Sequence, residues 1–152
     1  MNLSLDVQIA TDSPHLPTLS DIEYWVALAI GQHAENADVC IRIVDENEIT
    51  ELNFNYRAKK SPTNVLSFPA DIPDYMDIPM LGDLVICAPV VEKEAIEQGK
   101  PSQSHWAHMT IHGTLHLLGY DHISDGQAEI MENLEIELLD KLNIPNPYIT
   151  GP

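Results

Sequence analysis

The pattern of apolar and polar residues along the chain predicts an alternation of strands and helices. Between residues 3 and 9 they alternate, which is typical of a strand with one buried face. Apolar runs indicate further strands at 39–44, 65–68 and 84–87. Helical spacing of apolar residues predicts helices over 20–36, 45–57 and 124–142, and over segments that begin near 89 and 102. This order predicts an α+β (α/β-like) fold, with a single mixed sheet packed with helices in one domain over 1–152.

Pairs of polar residues spaced three apart indicate where several helices begin. A Ser or Asp at such a position accepts a backbone hydrogen bond, and a Glu or Gln three residues later completes a capping box. The chain offers Ser20 with Glu23, Asp45 with Glu48, and Ser124 with Gln127. Residues 69–79 instead hold three prolines and three aspartates, which predicts a surface loop.

The charge of the chain is strongly negative but unevenly spread. The chain has seven Lys and Arg residues and 24 Asp and Glu residues, so its net charge is −17. This charge argues against non-specific binding of nucleic acid. The two longest windows without an acidic residue are 52–70 and 98–120. The first holds three of the seven basic residues and the second four of the seven histidines. If the windows meet in the fold, they form a neutral-to-basic site on an acidic body; the alternative is chance clustering.

Features that bear on cellular location favour the cytoplasm. No stretch is long and apolar enough to cross a membrane, so no membrane partner is expected. The first six residues lack the basic region and apolar run of a signal peptide. Cys40 and Cys87 lie in strand-like segments and are expected to be buried thiols rather than a disulfide.

Three histidines lie close together in HGTLHLLGYDH, residues 112–122. His112 and His116 share one face of a helix, whereas His122 would lie about 240° around a continued helix. Gly119 can adopt the left-handed conformation that ends the helix, so that His122 returns to the same point from a loop. Three imidazoles with an open fourth position are typical of a catalytic zinc site. The alternative is three unrelated polar or core histidines.

The spacing matches the zinc-peptidase pattern H-E-x-x-H-x-x-G-x-x-H, with one departure. Gly113 stands where a peptidase needs a glutamate as its general base. A zincin-like arrangement around a central, buried metal-bearing helix is therefore expected, without efficient peptide hydrolysis. The small residue at 113 is also expected to leave room beside the metal for an anionic group.

Several motifs together resemble the YbeY family of bacterial metal-dependent endoribonucleases. Residues 112–122 are similar to its signature H-G-x-L-H-L-x-G-Y-D-H, and nearly the whole chain is covered. Further matches are Arg57 followed by PTNVLSFP at 62–69, LGDLVI at 81–86, and AHM at 107–109. The resemblance implies cleavage of single-stranded RNA in 16S ribosomal RNA 3′-end maturation and ribosome quality control. It also implies a Zn²⁺ ion on His112, His116 and His122, with the small ribosomal subunit and assembly factors as partners.

Residues outside the histidine motif complete the predicted site. Arg57 has a planar fork suited to phosphate, and the resemblance favours that role over an ordinary helix-terminal arginine. Lys59, Lys60 and His108 are further candidates for substrate contact, against generic surface charges for the lysines and a hydrogen-bonded surface histidine. Asp121 is a candidate to orient a metal ligand or act as a base, against a simple turn-capping role.

Two other function classes stay open at this point. One is a zinc metallopeptidase-like hydrolase, which fits the histidine spacing but lacks the glutamate. The other is a non-enzymatic ribosome-assembly adaptor with a structural metal, for which the acidic last helix would favour a basic partner. In that helix we expect an inward apolar face of Ile130, Met131, Leu134 and Leu138, and an outward acidic face of Glu129, Glu132, Glu137 and Asp140.

Overall fold

The computed structural model describes residues 2–73, 76 and 78–148. Within them four strands and five helices follow one another. In chain order these are β1 (Asn2–Ala10), α1 (Leu19–Ile30), β2 (Asn36–Val44), α2 (Glu46–Arg57), β3 (Val65–Pro69), β4 (Met80–Cys87), α3 (Ala88–Glu97), α4 (Ser102–Leu117) and α5 (Asp125–Asp140).

The four strands form one mixed sheet in the order β1-β2-β4-β3. β2 pairs in parallel with both β1 and β4, whereas β3 runs antiparallel to β4 at the edge. Ile41 in the middle of β2 lies opposite Val7 on one side and Leu84 on the other. The predicted α+β fold with a single mixed sheet is confirmed.

The pleat of the sheet divides the apolar side chains between two cores. Successive strand residues point to opposite faces, so Leu84 and Ile86 join the main core while Val85 and Cys87 join a smaller one. α4 packs on β3 and β4 and also contacts α1, α3 and α5. Most of its side chains are buried, with Trp106 and Ile111 among the largest. The helix that carries the first two histidines is therefore central, as expected.

The first helix begins and ends earlier than its sequence pattern predicts. Thr18, rather than Ser20, is the capping residue, and its hydroxyl accepts from the backbone N–H of Asp21 at 3.1 Å. The helix ends at Ile30 instead of residue 36, because Gly31 takes a φ of +52° that a helix cannot continue. β2 begins at Asn36, three residues before the start predicted at 39.

The capping boxes predicted at the starts of α2 and α5 have different outcomes. α2 follows Asp45, but that carboxylate makes no capping bond and accepts instead from the hydroxyl of Thr11. Glu48 is engaged in a two-point pair with Arg42, which explains why it completes no capping box. The box of Ser124 and Gln127 is present as predicted, and α5 ends at Asp140.

Both cysteines are free thiols, as expected. Cys87 is buried, but Cys40 is partly exposed, so the prediction of buried thiols is confirmed only for Cys87. Burial raises the pKa of the Cys87 thiol to about 11, so it stays protonated at neutral pH.

Among the described residues, every helix is too short or too polar to span a membrane.

Candidate metal centre and cleft

The end of α4 has the geometry that brings His122 back toward the helix. Gly119 takes a φ of +103°, and its N–H donates to the carbonyl of His116 at 3.1 Å. The N–H of Tyr120 donates to the carbonyl of Leu115, also at 3.1 Å. These two bonds form a Schellman motif, in which the residue with positive φ reverses the chain. The helix stop that the sequence predicts at Gly119 is therefore present.

The three histidines converge at this turn. His112, His116 and His122 each offer a ring nitrogen, and these atoms all lie within 4.8 Å of one another. The Nε2 atoms of His112 and His116 are 3.2 Å apart, and the ring of His122 lies 5.8 Å and 5.1 Å from those two rings, centroid to centroid. Two nitrogen ligands of a tetrahedral Zn²⁺ are separated by about 3.3 Å, given bond lengths of about 2.0–2.1 Å. The donor set and its spacing fit a transition-metal ion.

The surroundings keep His116 in the form that binds metals. Burial of its ring lowers the pKa of His116, and the neighbouring His112 and His122 lower it further. A lowered pKa favours the neutral imidazole at neutral pH. Metal ions compete with protons for the same nitrogen, so a neutral ring binds more readily.

Gly113 does not leave room beside the histidines, contrary to the sequence-based expectation. A Cβ at this position would lie 2.9 Å from Cδ2 of Leu84 and 3.1 Å from Cγ2 of Val65. Its carbonyl accepts from the hydroxyl of Ser67 at 3.0 Å. The residue faces the sheet rather than the cleft, so its small size allows α4 to approach β3 and β4 closely.

A cleft of about 650 Å³ opens over the histidines. It is lined by residues from both acid-free windows, including Arg57 from the first and His116 from the second. The two windows therefore meet, as the charge pattern suggested. Asp121 is the single acidic residue among those that line the cleft within the described chain. With the histidines neutral, the charges of Arg57 and Asp121 cancel, so the lining has no net charge, whereas the whole chain carries −17.

Arg57 is the last residue of α2 and lines the cleft together with His112 and His116 of α4. The chain leaves the helix at Ala58, which takes a left-handed φ of +58°. Arg57 is exposed, and within the described part of the chain it forms no salt bridge. Lys59 and Lys60 are exposed as well, but they do not line the cleft.

The structure separates the roles open to Asp121 and His108. Asp121 lines the cleft, and its carboxylate accepts from the backbone N–H of His122 at 2.8 Å, which stabilises the turn. The same oxygen lies 4.0 Å from Nδ1 of His122, too far for a hydrogen bond. His108 is only 6% exposed and does not line the cleft. Its Nε2 instead lies 2.7 Å from Oε1 of Glu135.

Glu135 is the residue of this region that sequence reasoning missed. It lies on the buried face of α5, with 0% exposure, and its Oε1 is 3.2 Å from Nδ1 of His112. Ile130, expected to face inward, is 62% exposed, because the buried stripe of α5 runs through Met131, Glu135 and Leu138. Glu135 follows Met131 by four residues and therefore lies on the same, apolar face of the helix. An acidic residue on an apolar face is the sequence signal that could have identified it.

Fold and site together define a class of protein: an α+β chain with a three-histidine candidate metal centre at the end of a buried helix. The model of the family described as endoribonuclease YbeY matches residues 12–143. The chain belongs to this family, which confirms the resemblance seen in its motifs. Membership implies an endoribonuclease that acts in ribosomal RNA processing.

A solved structure supports the fold. The solution structure of TM1509 from Thermotoga maritima is 26% identical to this chain in sequence and superposes with a TM-score of 0.58. The match covers 90% of this chain and 91% of that one. The similarity therefore extends over the whole fold rather than over the histidine motif alone.

Proposed function

We propose that this chain is a metal-dependent endoribonuclease that cleaves phosphodiester bonds in single-stranded RNA. The observation that carries the proposal is the convergence of His112, His116 and His122 beside a cleft that also holds Arg57. Metal ligands and a phosphate-binding cation on one cleft are the components that phosphodiester cleavage needs. Family membership supports the same chemistry.

The proposed cofactor is one Zn²⁺ per chain, held by the three histidines. Three protein ligands leave one position for water or substrate, which is typical of catalytic rather than structural zinc. When bound, such an ion supplies Lewis acidity, either to a water molecule or to a phosphoryl oxygen. Three imidazoles also bind nickel and copper well, so the choice of zinc is tested by elemental analysis.

Arg57 is proposed to bind the phosphate that reacts. Its guanidinium can donate two parallel hydrogen bonds to phosphate oxygens and keeps its charge at any physiological pH. The same contact would stabilise the additional negative charge that develops in the transition state. Lys59 and Lys60, which lie outside the cleft lining, are proposed to make at most general electrostatic contacts with the RNA.

The walls of the cleft favour an unpaired strand over a duplex. Tyr56 lines the cleft beside Arg57 and is 56% exposed, with its ring packed 4.6 Å from that of Phe68. Ile123 lines the cleft beside His122 and is 85% exposed. Exposed aromatic and apolar surfaces stack with bases that are free of a partner strand. We infer that bases flanking the bound phosphate lie on these side chains.

The cellular role proposed is maturation of the 3′ end of 16S ribosomal RNA and ribosome quality control in the cytoplasm, carried out by one domain over 1–152. The small ribosomal subunit and its assembly factors are the proposed partners. The exposed acidic residues Glu129, Glu137 and Asp140 of α5 suit a basic protein surface. Accumulation of unprocessed 16S 3′ ends in cells that express only the Arg57→Ala chain would support this role.

The test of the proposed activity compares RNA substrates with and without metal. The protein is stripped with a chelator, reloaded with Zn²⁺, and incubated with a single-stranded RNA, its duplex and a single-stranded DNA of the same sequence. We expect cleavage of the single-stranded RNA only, loss of activity on chelation and recovery on reloading. Cleavage that persists without metal would contradict the metal dependence.

His116→Ala tests the ligand set, with His15→Ala as its control. Two imidazoles hold zinc much more weakly than three, so His116→Ala should lose both the stoichiometric metal and the cleavage. His15 is an exposed histidine outside the cluster, and its variant should keep both. Full metal content in His116→Ala would exclude the three-histidine site. Metal binding without any RNA cleavage in the wild type would favour the adaptor role.

A further inference from the structure

A buried hydrogen-bond network lies behind the candidate metal centre. Glu135 is at its centre, fully buried between α5 and α4. Its Oε1 lies 3.2 Å from Nδ1 of His112 and 2.7 Å from Nε2 of His108. The hydroxyl of Tyr148 donates to the same oxygen at 2.9 Å. One carboxylate therefore joins two histidines of α4 to the last described residue of the chain.

The two nitrogens of His112 face different groups. Nδ1 faces Glu135, whereas Nε2 lies 3.2 Å from Nε2 of His116 within the histidine cluster. A carboxylate accepts hydrogen bonds and cannot donate one when ionised, so the proton of a neutral His112 ring belongs on Nδ1. That leaves the lone pair of Nε2 directed toward the candidate metal position.

We propose that Glu135 is a positioning residue that fixes the tautomer and ring orientation of His112 for metal binding. The proposal rests on the proposed function only in that it takes the three histidines as metal ligands. A carboxylate that accepts from the second nitrogen of a metal-bound histidine makes that histidine a stronger and better oriented ligand. Loss of such a partner typically weakens metal affinity about 10–100-fold.

The network supplies hydrogen-bonding partners for the buried carboxylate of Glu135. Nε2 of His108, at 2.7 Å, and the hydroxyl of Tyr148, at 2.9 Å, both face its Oε1, as a buried polar group requires. Burial and the negative charges of Glu135 and Glu132 raise the pKa of the Tyr148 phenol, so it remains a neutral donor. His108 and Tyr148 thus compensate the buried charge, which leaves the carboxylate available to His112.

A purely structural role for Glu135 would be to tie α5 to α4, and the chain offers a matched control for it. Glu94 accepts from another buried histidine of α4, with its Oε1 2.9 Å from Nε2 of His105. Both pairs join a glutamate of a neighbouring helix to α4, but His105 is not part of the three-histidine cluster. If histidine–carboxylate pairs serve only stability, variants of Glu94 and Glu135 should behave alike.

The experiment measures the zinc dissociation constant by competition with a chromophoric chelator. Metal-free wild type, Glu135→Gln, Glu135→Leu, Glu94→Gln and Glu94→Leu are compared, and circular dichroism confirms that each is folded. We expect weaker zinc binding by roughly 10-fold for Glu135→Gln and by more for Glu135→Leu, since leucine offers no acceptor. Both Glu94 variants should stay within about twofold of wild type, whatever their melting temperatures. Wild-type affinity in a folded Glu135→Gln chain would overturn the proposal.

A second measurement uses only the wild-type protein, so its result does not depend on whether the variants fold. Imidazole ¹⁵N spectra of the metal-free wild type report which nitrogen of neutral His112 carries the proton. We expect the proton on Nδ1, and a proton on Nε2 would overturn the proposal. Failure of the wild type to bind zinc at all would instead contradict the proposed function, while the tautomer would still decide the interaction between Glu135 and His112.

Discussion

Arg57 is the one basic residue of its acid-free window that lines the cleft, which is why we propose it, rather than Lys59 or Lys60, as the phosphate-binding residue. Arg57 combines a permanent charge with a two-point fork, whereas a lysine offers a point charge. Its position at the C-terminal end of α2 also places the cation near the negative end of the helix dipole. The guanidinium has no carboxylate partner among the described residues.

Replacement of Arg57 should separate phosphate binding from metal binding. We expect Arg57→Ala to retain its zinc but to cleave single-stranded RNA about 10²–10³-fold more slowly, as when one transition-state donor is removed. Arg57→Lys should recover only part of the rate, because it keeps the charge and loses the fork. The measurement is single-turnover cleavage at saturating enzyme, with metal content determined in parallel.

Lys59→Ala and Lys60→Ala are the matched controls for Arg57. Both remove a cation from the same acid-free window, but neither residue lines the cleft. They should cleave within a few-fold of the wild-type rate. An Arg57→Ala chain that behaves like these controls would remove the arginine from the mechanism.

Tyr56 is expected to contribute to RNA affinity through stacking. Tyr56→Ala should weaken binding of a short single-stranded RNA by about 1–3 kcal/mol, the usual contribution of one base stacked on an aromatic ring. Tyr56→Phe should bind nearly as well as wild type, because the ring is retained. Fluorescence anisotropy with metal-free protein measures binding without cleavage. Phe54 is a similarly exposed aromatic of α2 that does not line the cleft, so equal losses for Phe54→Ala would contradict the stacking role.

At the scale of elements, the packing of α4 against the sheet limits what position 113 can hold. The helix approaches β3 and β4 closely enough that even a methyl group at Gly113 would meet Leu84 and Val65. A glutamate at this position would therefore be forced into the core instead of the cleft. The missing peptidase glutamate is thus explained by the interface between helix and sheet.

Gly113→Glu should accordingly destabilise the protein without creating peptidase activity. We expect the free energy of unfolding to fall by more than about 2 kcal/mol, from overpacking and from burial of an unpaired carboxylate. Gly126→Glu is the control, since Gly126 is exposed in the first turn of α5, where a negative charge is favourable. Urea denaturation compares the two, and wild-type stability of Gly113→Glu would show that position 113 faces open space.

Sequence patterns identified the features that depend only on residues close together in the chain. The alternation in β1, the helix-stopping Gly119 and the i, i+4 histidines all depend on neighbours within a few residues, and all were found. Glu135 and Gly113 depend on contacts between distant segments, and such contacts leave little local signal. The end of α1 was missed because the sequence pattern alone did not show that Gly31 would adopt a positive φ.

For the molecule as a whole, a buried histidine predicts how stability changes with pH. Burial lowers the pKa of His105 below its usual 6.5, although the hydrogen bond with Glu94 opposes the shift. Below about pH 6.5 the unfolded chain therefore binds more protons at this position than the folded chain, and stability falls as the pH falls. The loss begins near the unfolded value and is complete below the folded value.

Urea denaturation of metal-free protein at about pH 7.5 and about pH 5.5 should reveal this contribution. We expect wild type to lose more stability across the interval than His105→Gln, whose amide can still donate to Glu94 but does not titrate. His15→Gln, which removes an exposed histidine by the same substitution, is the control. Equal losses for wild type and His105→Gln would contradict the assignment.

The acidic body around a nearly acid-free cleft has a kinetic consequence. At a distance RNA meets the field of a molecule with a net charge of −17, and only at close range does it meet Arg57. Salt should therefore accelerate the encounter, because the screening length shrinks from about 30 Å at 0.01 M to about 8 Å at 0.15 M and hides the distant carboxylates first. Stopped-flow mixing of metal-free protein with single-stranded RNA should show an association rate constant that rises over this range, opposite to the usual fall for nucleic-acid-binding proteins. The protein would then find RNA slowly in dilute buffer, and most readily where other ions, or a basic partner surface, have already neutralised its own repulsion.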